Sequence, residues 1–294
     1  MAYGGPNSLE EIPGYLADIR HGRTTGKRVL EEITQNYREI GGKSSLLDDA
    51  TAQRDALAGS LGEGYRVYLG MRHWAPWIED TVRTMIDDGI TRIIGIVLAP
   101  HHSRVSIDAY HRRVREALRM YHADIPYVGV ERYHLHEGLI AGLASMAKES
   151  TTDKGVHLVM SAHSIPKHFE VAGDTYQAQL RETASRVAKT LQLDDSKWSF
   201  SFQSKGRSAE EWLGPGLEEH LDELHARGIS DVVVLPVGFL SDHVEVLFDV
   251  DMKAKNYAKS LGMTLTRART LNTHPQLIRA LSETIQDNVS TETP

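Results

Sequence analysis

The chain has 294 residues and no cysteine. Disulfides, thiolate zinc sites and cysteine-ligated iron–sulfur clusters are thereby excluded, and any metal meets nitrogen and oxygen only. No apolar run approaches the roughly 18–20 residues needed to cross a bilayer, so no stable membrane association is expected. Residues 1–6 are neither basic nor followed by an apolar stretch. No signal peptide is read there, and the expected location is cytoplasmic. An excess of positive charge is missing as well; the formal net charge of −7 gives no reason to expect a nucleic-acid partner. There is no Walker A loop, and Gly62-Glu-Gly64 is followed by Val67 where a dinucleotide fingerprint needs glycine. His134-Leu-His136-Glu137 lacks the i, i+4 histidine pair of zinc proteases.

What is present is an α/β rhythm with a generous supply of histidine, 15 in all. Ser8-Leu-Glu-Glu11 has capping-box spacing and opens a helix to about residue 20. Further helices are expected over 25–40, 46–61, 76–88, 106–121, 137–148, 174–191, 215–226, 242–261 and 274–287. Strands are expected over 65–70, 93–98, 127–130, 156–161, 198–202 and 232–235, with another near Thr264. Such alternation argues for parallel sheets.

Pro76-Trp-Ile-Glu-Asp and the later Asp88-Gly-Ile-Thr91 are echoed, at one constant offset, by Pro215-Gly-Leu-Glu-Glu and Arg227-Gly-Ile-Ser230. The competing explanation is punctuation common to any two βα units. A true repeat would carry Ser106 onto Glu245 and His73 onto Trp212. One feature is odd: Tyr3-Gly-Gly-Pro6 reads like the turn after a first strand, yet only two residues precede it. Either the lobe lacks that strand or the true start lies upstream. The second is expected, because deleting an interior strand leaves its neighbours' backbone groups unpaired.

Two stretches carry candidate chemistry. The apolar run 232–235 stops at Pro236 and Gly238, and a helix follows with Asp242 as its expected N-cap. Glu245 and Asp249 are four apart and share a helical face just beyond a strand's carboxyl end, where parallel sheets bind ligands. The bland reading of Glu245 is the partner of Asp242 in a capping box, and that of Asp249 is a solvated helix face. The second stretch, 156–166, is a strand running into Ser161, His163 and Ser164. A lone histidine there is often only a hydrogen-bonded structural group. An imidazole and a carboxylate at neighbouring strand mouths could together take protons and briefly hold a divalent metal.

Taken with their order and spacing, Ser161-Ala-His-Ser-Ile-Pro166, Gln203-Ser204, Trp212-Leu-Gly-Pro215 and Pro236-Val-Gly-Phe-Leu-Ser-Asp-His-Val-Glu245 resemble the ferrochelatase family. Ile19-Arg20, Gly41-Gly42, Gly70-Met-Arg-His73 and Leu98-Ala-Pro-His101 extend the likeness over nearly the whole chain. The N-terminal Tyr3 and the absence of a membrane-binding lip resemble the soluble, monomeric bacterial branch, which acts on coproporphyrin III.

The resemblance implies two similar Rossmann-like lobes, each a parallel four-stranded sheet flanked by helices, with a cleft between them. The expected bounds are residues 1–126, joined by the C-terminal helix 274–288, and 127–273. The implied activity is that of a lyase inserting ferrous iron into coproporphyrin III in heme biosynthesis. His163 and Glu245 would be the catalytic pair, and His163, Glu245 and Asp249 would meet the metal. Tyr3, Ile19, Arg20, Ser44, His73, Ser106, Tyr110 and Trp212 would line the porphyrin site, although for Trp212 ordinary core packing competes. Iron is a substrate here and no cofactor is required; the partners are the porphyrin and the ion, with the protein a monomer. Three departures stand out: His21 where a second arginine is usual, Ser45 for a proline, and Lys253 on the rung beyond Asp249, where it could pair with Asp249. Open alternatives are a protoporphyrin IX ferrochelatase, a sirohydrochlorin chelatase, and a non-catalytic tetrapyrrole or metal carrier.

Overall fold

A computed structural model describes residues 1–151 and 155–290 and shows an α/β protein with parallel sheets flanked by helices. The elements in chain order are α1 (Ile12–Ile19), α2 (Lys27–Glu39), α3 (Leu46–Leu61), α4 (Ile78–Asp87), β1 (Ile93–Gly95), α5 (Ile107–Met120) and β2 (Tyr127–Gly129). They continue with α6 (Glu137–Ser150), β3 (His157–His163), α7 (Lys167–Val171), α8 (Tyr176–Thr190), β4 (Trp198–Gln203), α9 (Leu217–Ala226) and β5 (Asp231–Pro236). Last come α10 (Val244–Leu247), a π-helical turn over Asp249–Ala254, α11 (Lys255–Ser260), β6 (Thr264–Arg267) and α12 (Pro275–Ser290). The polar tail expected beyond α12 lies outside the described residues.

The chain divides into two compact units: residues 1–100, 104–133 and 278–294, and residues 101–103 with 134–277. In the second, the strand order is β4-β3-β5-β6, all parallel. β3 is central and buried along almost its whole length, as a strand covered on both faces must be, and its Leu-Val-Met run is the matching signature. Val159, Val232 and Val234 pack with Leu221 and Leu224 of α9 and with Val250, Ala254 and Ala258.

The first unit departs from the expected four strands. Among the described residues its ladder is the parallel pair β1–β2, in which Ile93 faces Tyr127 and Gly95 faces Gly129. A boundary after residue 126 would cut this ladder, so residues 127–133 belong to the first unit. The strand expected over 65–70 forms no ladder; Met71 alone bridges to Ala2 and Trp77. A strand exists only where a neighbour can take its backbone bonds, and residues 1–3 lie alongside only from Gly70 onward: Ala2 N–H donates to Gly70, while Arg72 and His73 donate to Ala2 and Tyr3.

The internal echo is carried by real elements. α4 and α9 have 10 residues each, start two residues after the matching prolines, and lead through glycine turns into β1 and β5. The N-terminal capping box is not formed: Glu11 accepts instead from the N–H of Asn7 (2.6 Å) and the indole of Trp74 (2.7 Å).

Candidate active site

The chemistry in the second unit gathers at the carboxyl end of its sheet. His163 is the last residue of β3 rather than a residue beyond it, and it faces Gln203 at the end of β4. Its Nδ1 donates to the adjacent Ser164 carbonyl, so a neutral ring carries its lone pair on Nε2. That Nε2 lies 3.1 Å from Glu245 Oε1, with both side chains about one-third exposed (32% and 35%). Tyr176, whose hydroxyl burial holds above its usual pKa, donates to the His163 carbonyl at 3.1 Å.

The capping-box reading of Glu245 fails. His243 is the N-cap of α10, its Nδ1 accepting from Glu245 N–H at 3.3 Å. Asp242 is occupied elsewhere: Arg267 Nη1 and Thr270 Oγ1 both reach its Oδ1 at 3.0 Å, and Arg267 Nε also holds Asp251 at 2.8 Å. The Glu245 carboxylate is therefore free to turn to His163.

A continuous α-helix over 242–261 is not what forms either. The apolar row on this segment is Val246, Val250, Ala254 and Ala258, all nearly or fully buried. In an α-helix a four-residue spacing drifts about 40° per step, so such a row would rotate off the core within three steps. The π turn, in which Lys253 N–H reaches back to the Phe248 carbonyl at 2.9 Å, widens the helix and counters that drift. The same correction keeps Glu245, Asp249 and Lys253 in file. Asp249 takes a hydrogen bond from Ser204 Oγ, and Lys253 pairs with Glu218 (3.2 Å) rather than with Asp249.

Electrostatics sort these groups. Burial pulls the His163 imidazole down, but the Glu245 charge and hydrogen bond, with the Ser164 carbonyl, outweigh it and leave its pKa raised. Burial pushes Glu245 up, yet His163 and then His243 bring it down to about 2. Asp249 goes the other way, raised by burial and by Glu245 to about 6. His243 is lowered, chiefly by burial.

Among the described residues, no group of three or more His, Asp or Glu side chains is disposed to hold a metal alone. His163 and Glu245 converge as a pair, and Asp249 does not complete a third ligand position. At the roughly 2.0–2.2 Å bonds usual for imidazole and carboxylate on zinc, donors 3.1 Å apart subtend about 90° at one ion. Two donors with that bite can grip a divalent ion while leaving most of its coordination sphere to another molecule.

Gln203 is the element whose role the sequence did not reveal. It is 5% exposed, accepts from Ser161 Oγ (2.7 Å) and donates through Nε2 to the Glu245 carbonyl (2.6 Å). It thereby fixes α10 to the end of β4, beside His163. Trp212 is half-buried; its indole N–H donates to Ser208 Oγ at 3.0 Å, and its ring packs so closely on Gly206 that any Cβ there would sit 2.4 Å from it.

In the first unit the remaining candidates cluster around Arg72 and His73. The His73 ring lies 4.6 Å from that of Tyr3, which is 40% exposed, and its Nδ1 donates to Asp18 at 2.7 Å. Burial, against the opposing pull of Asp18, takes His73 down to about 4, so the ring is neutral. Asp18 stands next to half-buried Ile19 and exposed Arg20 at the end of α1. Ser44 is buried, with its N–H bonded to the Pro6 carbonyl and its hydroxyl accepting from Leu46 N–H. Arg72 donates to the Val105 carbonyl next to half-buried Ser106, and its guanidinium lies over the Tyr110 ring at 5.5 Å. Tyr110 itself belongs to the apolar core, 3% exposed. Asp18 and Arg72, missed in the sequence, were each one residue away from a candidate.

A family model described as Ferrochelatase matches residues 1–289. The chain is 49% identical over 295 residues to a ferrochelatase of Deinococcus radiodurans, covering 97% of this chain and 93% of that one. It is 36% identical to a coproporphyrin III ferrochelatase of Anoxybacillus flavithermus, covering 99% and 96%. The solved structure of SirB from Bacillus subtilis with Fe3+ superposes with a TM-score of 0.59 at 13% identity, over 83% of this chain and 90% of that one, a likeness of fold.

Proposed function

The chain belongs to the ferrochelatase family, whose reaction is insertion of iron into a porphyrin, and from that premise we propose that its substrate is coproporphyrin III and that His163 and Glu245 carry out the proton chemistry. The observation that carries the reading is the 3.1 Å contact between His163 Nε2 and Glu245 Oε1 at the sheet's carboxyl edge. With Nδ1 committed to Ser164, the imidazole and the ionised carboxylate form a site for one positive charge, met in turn by a proton or by the entering ferrous ion.

Insertion replaces two pyrrole N–H protons by Fe²⁺, so two protons must leave the ring for each ion that enters. The His163–Glu245 pair takes them in succession. Asp249, with a pKa of about 6, sits near the working range and serves as the next acceptor outward. Nitrogen and oxygen donors, only two in number, let the metal go to the four ring nitrogens; a thiolate would retain it.

Coproporphyrin III carries four propionates where protoporphyrin IX carries two. Arg20, Ser106 and Tyr3 offer a cation and hydroxyls suited to carboxylates, while Ile19 and Trp212 suit a flat apolar ring. His73, Ser44 and Tyr110 are buried. The relatives named as coproporphyrin III ferrochelatases support this choice, and no helix among the described residues is long and apolar enough to cross a membrane.

The test is a metal-insertion assay with zinc or ferrous iron on coproporphyrin III and protoporphyrin IX in parallel. Turnover preferring the former, abolished by His163→Ala, is the expected result. Preference for protoporphyrin IX would overturn the substrate assignment, and full turnover by His163→Ala would overturn the base.

A further inference from the structure

Two more imidazoles converge at the amino edge of the second unit's sheet, the full length of β3 away from His163, or about 20 Å at the rise of a parallel strand. His157 opens β3, and His220 lies on α9, which covers that face of the sheet by packing Leu221 and Leu224 against Val159. Val159 pairs with Ser199 of β4, so His157, two residues earlier, turns its side chain to the same face. Both rings are buried, 3% and 6% exposed, and both aim Nε2 at one atom: Ser199 Oγ lies 2.8 Å from His157 and 2.7 Å from His220. Neither ring takes part in the chemistry above.

The hydrogens around Ser199 are one too few. Glu223, three residues along α9, accepts from His220 Nδ1 at 2.9 Å; a carboxylate only accepts, so Nδ1 carries the hydrogen. The Ser196 carbonyl takes a hydrogen bond from the His157 ring, whose Nε2 is the nitrogen facing Ser199. When neutral, both rings therefore present Nε2 as a lone pair, and Ser199 has a single hydroxyl hydrogen for the two of them. One lone pair is left facing oxygen at hydrogen-bond distance, and one positive charge between the rings resolves the conflict. His157 is a poor place for an added proton: burial, then the charges of Arg227 and His220, take it down to about 4. Rings with Nδ1 tied to a carboxylate or carbonyl and Nε2 turned inward are arranged as metal-ligating histidines are.

We propose that His157, His220 and Ser199 form a second metal site, separate from the catalytic pair, for a divalent transition ion that favours imidazole, such as Zn²⁺. The two Nε2 atoms and the serine oxygen are three donors, and half-buried Ser199 leaves a side open for water to complete the coordination. Glu223 and the Ser196 carbonyl hold the rings from behind, and the ion ties α9 to β3 and β4. Metal and protons compete for the same lone pairs, so binding weakens as pH falls; the charged groups around the rings are Glu223, Arg227 and Lys197.

The experiment titrates Zn²⁺ by calorimetry into the full chain and into its His163→Ala, His157→Gln, His220→Gln and Glu223→Gln variants. One binding event persists in His163→Ala and is lost in His157→Gln and in His220→Gln. In Glu223→Gln the same event remains, with a Kd about tenfold to a hundredfold higher. A second measurement needs no substitution: crystals of the unsubstituted chain soaked in zinc show an anomalous peak about 2.0–2.1 Å from both Nε2 atoms. Zinc binding unchanged in both histidine variants, or no anomalous peak between the two rings, overturns the proposal.

Discussion

Replacing Gln203 by leucine tests whether the catalytic carboxylate is held in place from the strand beneath it. The substitution keeps the side chain's approximate volume but removes the donor to the Glu245 carbonyl and the acceptor for Ser161 Oγ. Each bond is worth about 0.5–1.5 kcal/mol net, and Ser161, fully buried, is left with an unsatisfied hydroxyl at a cost of about 1–3 kcal/mol. Counting the Ser161 bond by its stranded hydroxyl and the Glu245 bond by its net worth, the loss of stability should be about 1.5–4.5 kcal/mol, read as a lower midpoint in urea at unchanged slope. Insertion activity should fall further than stability accounts for. Glu245 would no longer be held beside His163, and a displacement near 1 Å costs up to about a hundredfold in rate. The double variant Ser161→Ala/Gln203→Leu separates the two effects. Removing both polar partners should recover about 1–2 kcal/mol of stability and none of the activity. A single variant less than 0.5 kcal/mol destabilised, within the ordinary scatter of surface substitutions, or one with wild-type turnover when folded, would refute the positioning role.

Glu245→Gln removes the charge that holds the His163 pKa up, so burial should take over and the pKa should fall below the ordinary histidine value; a titration of the ring by NMR checks the direction. Asp249 has its pKa raised to about 6 when folded, so its contribution favours the native state below the unfolded value near 3.8 and is lost as pH rises through 6. Asp249→Asn should accordingly stabilise the protein by about 1–2 kcal/mol at pH 8 and by much less at pH 4, measured by denaturant unfolding at both. Glu245 has the opposite sign: its contribution is present above its ordinary value of 4.5 and lost as pH falls toward 2, so Glu245→Gln should cost stability at neutral pH and little at pH 2. Lys253→Glu breaks the pair with Glu218 and extends the acidic file, and should lower the KM for ferrous iron about twofold to fivefold at low salt, with the gain shrinking as salt rises.

Periodicity made most of the elements legible. The apolar runs of β3 and β5, the glycine and proline punctuation around α4 and α9, and the placement of His163 and Glu245 at strand ends all follow from local chemistry, since a buried strand must be apolar and a turn must be able to turn. Three things depended on packing at a distance. The π turn exists because Val246, Val250, Ala254 and Ala258 must all face one core, a demand that no local propensity reveals. His243 rather than Asp242 caps α10 because Arg267, 25 residues further on, claims the aspartate. The strand expected over 65–70 stays without a ladder because strand pairing is settled by the neighbour available, not by the sequence of the strand itself. Residue types and their order thus determined which chemistry this chain could carry and where along it. Only the tertiary structure decided that an imidazole on β3 and a carboxylate on α10, 82 positions apart, meet at 3.1 Å, because that distance is set by sheet register and helix packing acting together.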